Sequence, residues 1–159
     1  MRTRTEVLHE WYRRAEITQY AHYLSADHFG KRKFWLGGPA VLLATFVGTS
    51  VFATMERQPG LWLQIAVGLA SVAAALLASL QTFMNYPERA EKHRLAGAKY
   101  GALGRELEQL RSFEGGYAEQ VISEMRRRVD ELALESPNIS LAIYSRAGAG
   151  EIAIVSDSS

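Results

Sequence analysis

The sequence predicts an all-α membrane protein: a two-helix transmembrane hairpin, long amphipathic cytoplasmic helices at both ends, and a short C-terminal tail with β-hairpin character. Three observations predict this class. Two runs without a charged residue, Phe34 to Met55 and Leu61 to Met84, are separated only by Glu56-Arg57-Gln58-Pro59-Gly60. Each run is long enough to cross about 30 Å of hydrocarbon as a helix of ~20 residues. The flanking segments are rich in charge and repeat their apolar residues at intervals of three and four, the period of a helix with one buried face.

Averages over the whole chain conceal this division. At 159 residues and 48% hydrophobic, with a mean hydropathy of −0.09, the composition matches that of an ordinary soluble domain. The 18 Lys and Arg against 17 Asp and Glu nearly cancel, so bulk charge gives no reason to expect direct nucleic-acid binding. The absence of cysteine excludes disulfides, thiol nucleophiles and Cys-ligated zinc. The polar segment ahead of Phe34, and the length of the run that follows, argue against a secretory signal peptide.

Residues 1–30 form the first cytoplasmic helix, with Leu8, Trp11, Tyr12, Ala15, Tyr23 and Ala26 marking its apolar side. Gly30 is read as its end. Lys31, Arg32 and Lys33 then stand at the membrane boundary, where each cation gains about 1 kcal/mol from anionic headgroups. The first span is 34–55 and the second 61–84. Basic residues cluster before Phe34 and again after Pro87 (Arg89, Lys92, Arg94, Lys99), whereas the turn has only Arg57 beside Glu56. The positive-inside rule therefore places both termini in the cytoplasm. Trp35, Trp62 and Tyr86 sit near span ends, as aromatic residues do at the headgroup level.

Small side chains dominate both spans. Ala40, Ala44 and Gly48 repeat every four residues in the first, and Ala66, Ala70, Ala74 and Ala78 in the second; such spacing lets backbones approach closely where lipid is as apolar as leucine. Gln64, Gly68, Ser71, Ala75, Ser79 and Thr82 share another face of the second span. Polar groups facing lipid are costly, so this face is expected to meet protein or water. Two readings follow, a seal within the hairpin or an oligomer, and a pore lining.

Proline is tolerated in the first turn of a helix, so Pro87 opens a new or kinked helix, 87–113. Its seam is Ala96, Tyr100, Leu103, Leu107 and Leu110, with Gly97, Gly101 and Gly104 beside it. Three glycines at ~1 kcal/mol each against alanine imply a partner helix pressed close, most simply the N-terminal one bearing Trp11; a hinge is the alternative. After Gly115-Gly116, residues 117–135 form another amphipathic helix, with Arg126, Arg127 and Arg128 on its solvated surface. In the tail, 138–159, Ile139, Leu141 and Ile143 and then Ile152 and Ile154 alternate as strands do, but each run is short, so a small hairpin and a loosely ordered tail are the two readings.

Catalytic chemistry finds no support in this pattern. None of His9, His22, His28 and His93 sits at metal-ligand spacing with another ligand, the glycines form no phosphate loop, and no serine has a base at a recognisable interval. No enzyme activity, metal or cofactor is expected. Arg89, Lys92, His93, Arg94 and Arg105 are candidates for contacting a nucleotide or other anion just inside the membrane; the competing reading is ordinary surface ion pairing with Glu88 and Glu91.

The order of these features carries a resemblance. A helix with Trp11, Arg14, Ala15, Tyr20 and His22, then the hairpin, then EKHRLAGAKYGALGRELEQL from Glu91 to Leu110 resembles the SLATT family over Trp11 to Pro137, so that 1–137 reads as one SLATT-like domain. The resemblance implies a membrane effector of bacterial conflict systems. Such effectors are proposed to oligomerise and to open a pore or disrupt the inner membrane when a nucleotide signal arrives, arresting or killing an infected cell. It further implies the lipid bilayer and copies of the same chain as partners, with a cyclic oligonucleotide ligand or a nucleotide-synthesising or reverse-transcriptase partner system upstream. The chain has no recognisable nucleotide-sensor domain, which separates it from fused members. A non-conducting membrane scaffold that recruits a cytoplasmic partner is the alternative.

Overall fold

The computed structural model describes residues 3–54, 60–112 and 119–157. The regular elements among them are all helices: α1 (Arg4–Thr54), α2 (Leu61–Met84), α3 (Tyr86–Ser112), α4 (Glu119–Glu135) and α5 (Leu141–Asp157). The turn read at 56–59 and the break at Gly115-Gly116 lie outside the described residues. The chain divides into two compact units, Met1–His28 with Arg89–Ser159, and Phe29–Glu88.

The Phe29–Glu88 unit is the hairpin. Two helices of the chain are long and apolar enough to cross a membrane. No residue of α2 is buried, and Trp35, Leu42, Trp62, Leu69, Leu76 and Phe83 are widely exposed. The less exposed positions of α1 in this unit include Leu36, Gly37, Ala40, Leu43, Val47 and Gly48, and those of α2 include Val67, Ala70, Ser71, Ala73, Ala74, Leu77 and Gln81. At Gly37 the approach is close, since a Cβ there would stand 3.2 Å from the Gln81 amide nitrogen. The Phe29 and Tyr86 rings stack with centroids 6.1 Å apart.

Local chemistry explains the helix ends. Thr3 and Glu6 form a reciprocal capping box at the start of α1, with Glu6 N donating to Thr3 Oγ1 at 3.2 Å and Thr3 N donating to Glu6 Oε2 at 2.9 Å. α2 ends at Asn85, which adopts the left-handed conformation (φ 42°) that asparagine reaches at lower cost than most residues. The Asn85 amide then bonds to Glu88 in the first turn of α3, and Pro87 occupies that same turn, where its missing N–H has no partner to lose.

Two expectations need correction. Gly30 does not end the first helix: α1 runs without interruption from Arg4 to Thr54, so residues 1–30 and the first span share one helix. A glycine in a helix costs about 1 kcal/mol, too little to break a helix with strong helix-forming sequence on both sides. The tail is not a β-hairpin either, because Leu141–Asp157 is helical. Ser140 caps it, its carbonyl accepting from Ile143 N and Tyr144 N, each at 3.1 Å. Ile139 and Ile143, which suggested alternation, are also four apart, and with Ala147 they cover Ile17, Ala21 and Leu24 of α1.

The other unit is built around α1 and α3. Leu8, Ala15, Tyr100, Leu103, Leu107 and Met125 form its main cluster, with Trp11, Tyr12, Leu110, Ile122, Val129 and Leu132 packed on it. Helices α1, α3 and α4 thus share one core. Lys99 reaches Glu135 at 2.8 Å, and Arg128 reaches Glu106 through both guanidinium nitrogens, tying α3 to α4 at the surface. Such exposed pairs are worth at most ~1 kcal/mol each, so the apolar cluster carries the stability.

The glycines of α3 differ in their surroundings. A Cβ at Gly97 would lie 3.2 Å from the Tyr23 ring and 3.4 Å from the Gln19 carbonyl oxygen, and one at Gly101 would meet the Gln19 side chain; at Gly104 it would meet nothing within 4 Å. Gly97→Leu is expected to destabilise the protein by about 1–3 kcal/mol through overpacking. Gly104→Ala should stabilise it by up to ~1 kcal/mol through helix propensity. Denaturant unfolding in detergent, followed by circular dichroism, checks both signs.

Candidate functional site

Helix periodicity decides what the hairpin offers to its surroundings. The contact face of α1 advances by fours and threes from Leu36 to Val47, whereas a strict four-residue repeat drifts around the helix. Ala40 is accordingly buried, Gly48 half-buried and Ala44 exposed. On α2 the polar stripe divides in the same way. Ser71 is half-buried in the hairpin, while Gln64, Gly68, Ala75, Ser79 and Thr82 are exposed on the chain's outer surface.

Several hydroxyls of the hairpin are satisfied within their own helices. Ser71 donates to the Val67 carbonyl at 2.8 Å and Thr82 to that of Ala78 at 3.0 Å; on α1, Thr45 donates to the Val41 carbonyl at 2.9 Å. Backbonding of this kind removes most of the cost of placing a hydroxyl in an apolar medium. The stripe is therefore compatible with protein contact, since small side chains with satisfied hydroxyls pack closely.

The five candidates for anion contact are not brought together. Arg89, Lys92, Arg94 and Arg105 are exposed on different sides of α3, and Arg94 pairs with Glu91 at 3.7 Å. His93 is 4% exposed and faces inward, which removes it from any surface set. Trp11, Gly97, Tyr100, Gly101, Leu103, Gly104 and Leu107 lie along the α1 and α3 packing described above.

His93 meets His22. The two Nδ1 atoms are 2.9 Å apart, 71 residues distant in sequence, and both rings are buried, His22 at 1% exposure. The ring centroids are 5.1 Å apart, and His22 also stacks on Tyr100 at 5.5 Å. At this distance one Nδ1 donates its proton and the other accepts. Burial, with the neighbouring His93 ring, pushes His22 down to about 4; burial lowers His93, and burial raises Tyr100 against the opposing hydrogen bond with Ser136. Both imidazoles are thus neutral at physiological pH.

Reading the histidines one by one for metal spacing misses this pair. The available signal is longer in range: Leu8, Ala15 and His22 are spaced by sevens, and so are His93, Tyr100 and Leu107. Each histidine therefore falls on the line of a buried seam. Among the described residues, no group of three or more His, Asp or Glu side chains is placed to hold a metal ion.

Compared with models of known protein families, with curated proteins and with solved structures, the chain matches none.

Proposed function

We propose that the chain is a membrane effector of a bacterial conflict system, which oligomerises through its hairpin and opens a pore or disrupts the inner membrane in response to a nucleotide or partner signal. The observation that carries this reading is the outer face of α2, where Gln64, Gly68, Ala75, Ser79 and Thr82 form a small, partly polar stripe that is exposed. Isolated in lipid, that stripe exposes polar side chains to hydrocarbon; against the same stripe of other copies it is packed or hydrated. Two spanning helices cannot enclose a water column, so conduction requires several copies. The resemblance to the SLATT family supports the direction of the signal, from the cytoplasm to the membrane, with both termini cytoplasmic.

Arg89, Lys92, Arg94 and Arg105 are where an anionic ligand would first be sought. A non-conducting scaffold is the second reading. The exposure of Leu134 at 87% and Leu141 at 80% favours it, since apolar side chains on the cytoplasmic helices suit a partner.

Purified protein in liposomes is expected to release a trapped dye, at rest or on addition of cyclic oligonucleotides, and Gly68→Leu with Ser79→Leu should reduce release at least ~10-fold by filling the stripe. Vesicles that stay sealed under every trigger, with inserted oligomeric protein demonstrated, would leave the scaffold. Under the scaffold reading Arg105→Glu abolishes activity and the stripe variants retain it. In a chain with no native cysteine, Ser79→Cys is expected to cross-link between copies in oxidised membranes, whereas Ala40→Cys, buried inside the hairpin, is not. A thiol at Gln58 should react only with reagents on the non-cytoplasmic side; labelling from the cytoplasm overturns the topology.

A further inference from the structure

The chain enters the hairpin along α1 and leaves it between α2 and α3, and each crossing is weak as a helix. On α1 the crossing is Gly37-Gly38-Pro39, inside a helix that runs from Arg4 to Thr54. Pro39 has no N–H, so the helix bond from position 39 to the Trp35 carbonyl cannot form. Proline and glycine are the usual sites at which a long helix bends. At the other crossing Asn85 alone separates α2 from α3, and its φ of 42° takes the chain out of the helical path for one residue.

Packing gives a use to one glycine of this pair and none to the other. A Cβ at Gly37 would stand 3.2 Å from Nε2 and 3.3 Å from Oε1 of Gln81, whereas at Gly38 it would meet nothing within 4 Å. Gly38 and Pro39 are both exposed. Gly38 therefore supplies no contact that alanine would spoil; what it supplies is backbone freedom. Gln81 joins the two crossings, since its side chain lies against Gly37 and its carbonyl accepts the Asn85 amide at 3.2 Å. A bend at Gly38 and Pro39 thus moves Gly37 against Gln81, and the Gln81 backbone passes that movement to Asn85.

We propose that Gly37-Gly38-Pro39 and Asn85 are paired hinges, coupled through Gln81, on which the two spans tilt together. A hinge on one crossing alone would be locked by the other. With both, the spans move as one body and keep their mutual contact, in the manner of hinged elements whose few pivot residues absorb the backbone change. The Trp35 carbonyl, which Pro39 deprives of its helix donor, belongs to a residue near the end of the span, where water and headgroups reach polar backbone that the hydrocarbon centre would not tolerate. The hinges rest on the reading of 34–55 and 61–84 as membrane spans and not on conduction. In a pore they are the place where a signal would change the tilt of the outer stripe of α2.

The test is a distance distribution between spin labels on the full chain, one labelled copy per lipid nanodisc, with cysteines introduced by Tyr20→Cys and Trp62→Cys at exposed positions on either side of the hinges. The expected distribution is broad in this background and at least ~2-fold narrower when Gly38→Ala and Pro39→Ala are added, since both favour the helix. Gly48→Ala, at another glycine whose Cβ would meet nothing within 4 Å, is expected to leave the breadth unchanged, and Gln81→Ala to increase it. A narrow starting distribution, no narrowing in the Gly38 and Pro39 variant, or equal narrowing by Gly48→Ala overturns the hinges. An unchanged breadth in Gln81→Ala overturns their coupling. Dye release from liposomes is read separately: if the stiffened variant inserts and oligomerises but no longer releases dye, tilting is the gating motion, and undiminished release overturns that role. Vesicles that stay sealed with the unmodified chain sink conduction, and the distances still decide the hinges.

Discussion

The close packing of α1 on α3 is the contact on which the helical unit depends. Leu8 and Ala15 from one helix and Tyr100, Leu103 and Leu107 from the other form most of its main buried cluster, and α4 and α5 are laid on that pair. Removing side-chain volume at Gly97 and Gly101 brings the backbones together, which places the larger residues on either side within reach of one another. The dispersion gained by many such contacts, each small, exceeds the helix propensity lost at two glycines. α4 adds Met125, Ile122 and Val129 to the same core, while α5 closes the opposite side of α1 through Ala147 and Ile143.

The hairpin suits a different solvent. Its helices meet through a narrow face, and most of their leucines, valines and aromatic rings point outward. In water that arrangement would be an aggregation surface. In a bilayer it carries no penalty, and the rule that every backbone and hydroxyl group must find a partner becomes the governing one. The backbonded Ser71, Thr82 and Thr45 hydroxyls meet that rule within single helices, while Gln64, Ser79 and Thr82 keep the outer stripe partly polar. What it gains from a neighbour is close packing of small residues.

How much was legible in the sequence follows from the range of each signal. The hairpin was legible because two uncharged runs of bilayer length have few alternative explanations. The seam from Ala96 to Leu110 was legible because five apolar residues at heptad-like intervals exceed what chance supplies. Gly30 misled because a single glycine is weak punctuation inside a long helix, and its neighbours Asp27 to Lys33 do nothing else to stop it. Ile139, Leu141 and Ile143 misled because three alternating residues fit a strand, while the first and third also fit a helix once α1 is there to receive them. The contact faces of the spans were displaced from the four-residue repeats because Ala44 and Ala66 are small without being inside. The histidine contact depends on two helices meeting in register, which no local pattern encodes.

That register explains what two polar rings do in an apolar core. Along α1, Leu8, Ala15 and His22 advance by sevens, while along α3 Leu107, Tyr100 and His93 recede by sevens. An antiparallel pair anchored at the contact of His22 with His93 brings Ala15 to the level of Tyr100 and Leu8 to that of Leu107. A slip by one heptad would keep every apolar position on the seam, so hydrophobic burial alone discriminates poorly against it. The same slip would leave each buried imidazole facing an apolar side chain, with its Nδ1 unpaired, at a cost of about 1–3 kcal/mol for each ring. The pair thus selects one register among several of similar hydrophobic merit, in the way a single polar residue fixes alignment in a coiled coil.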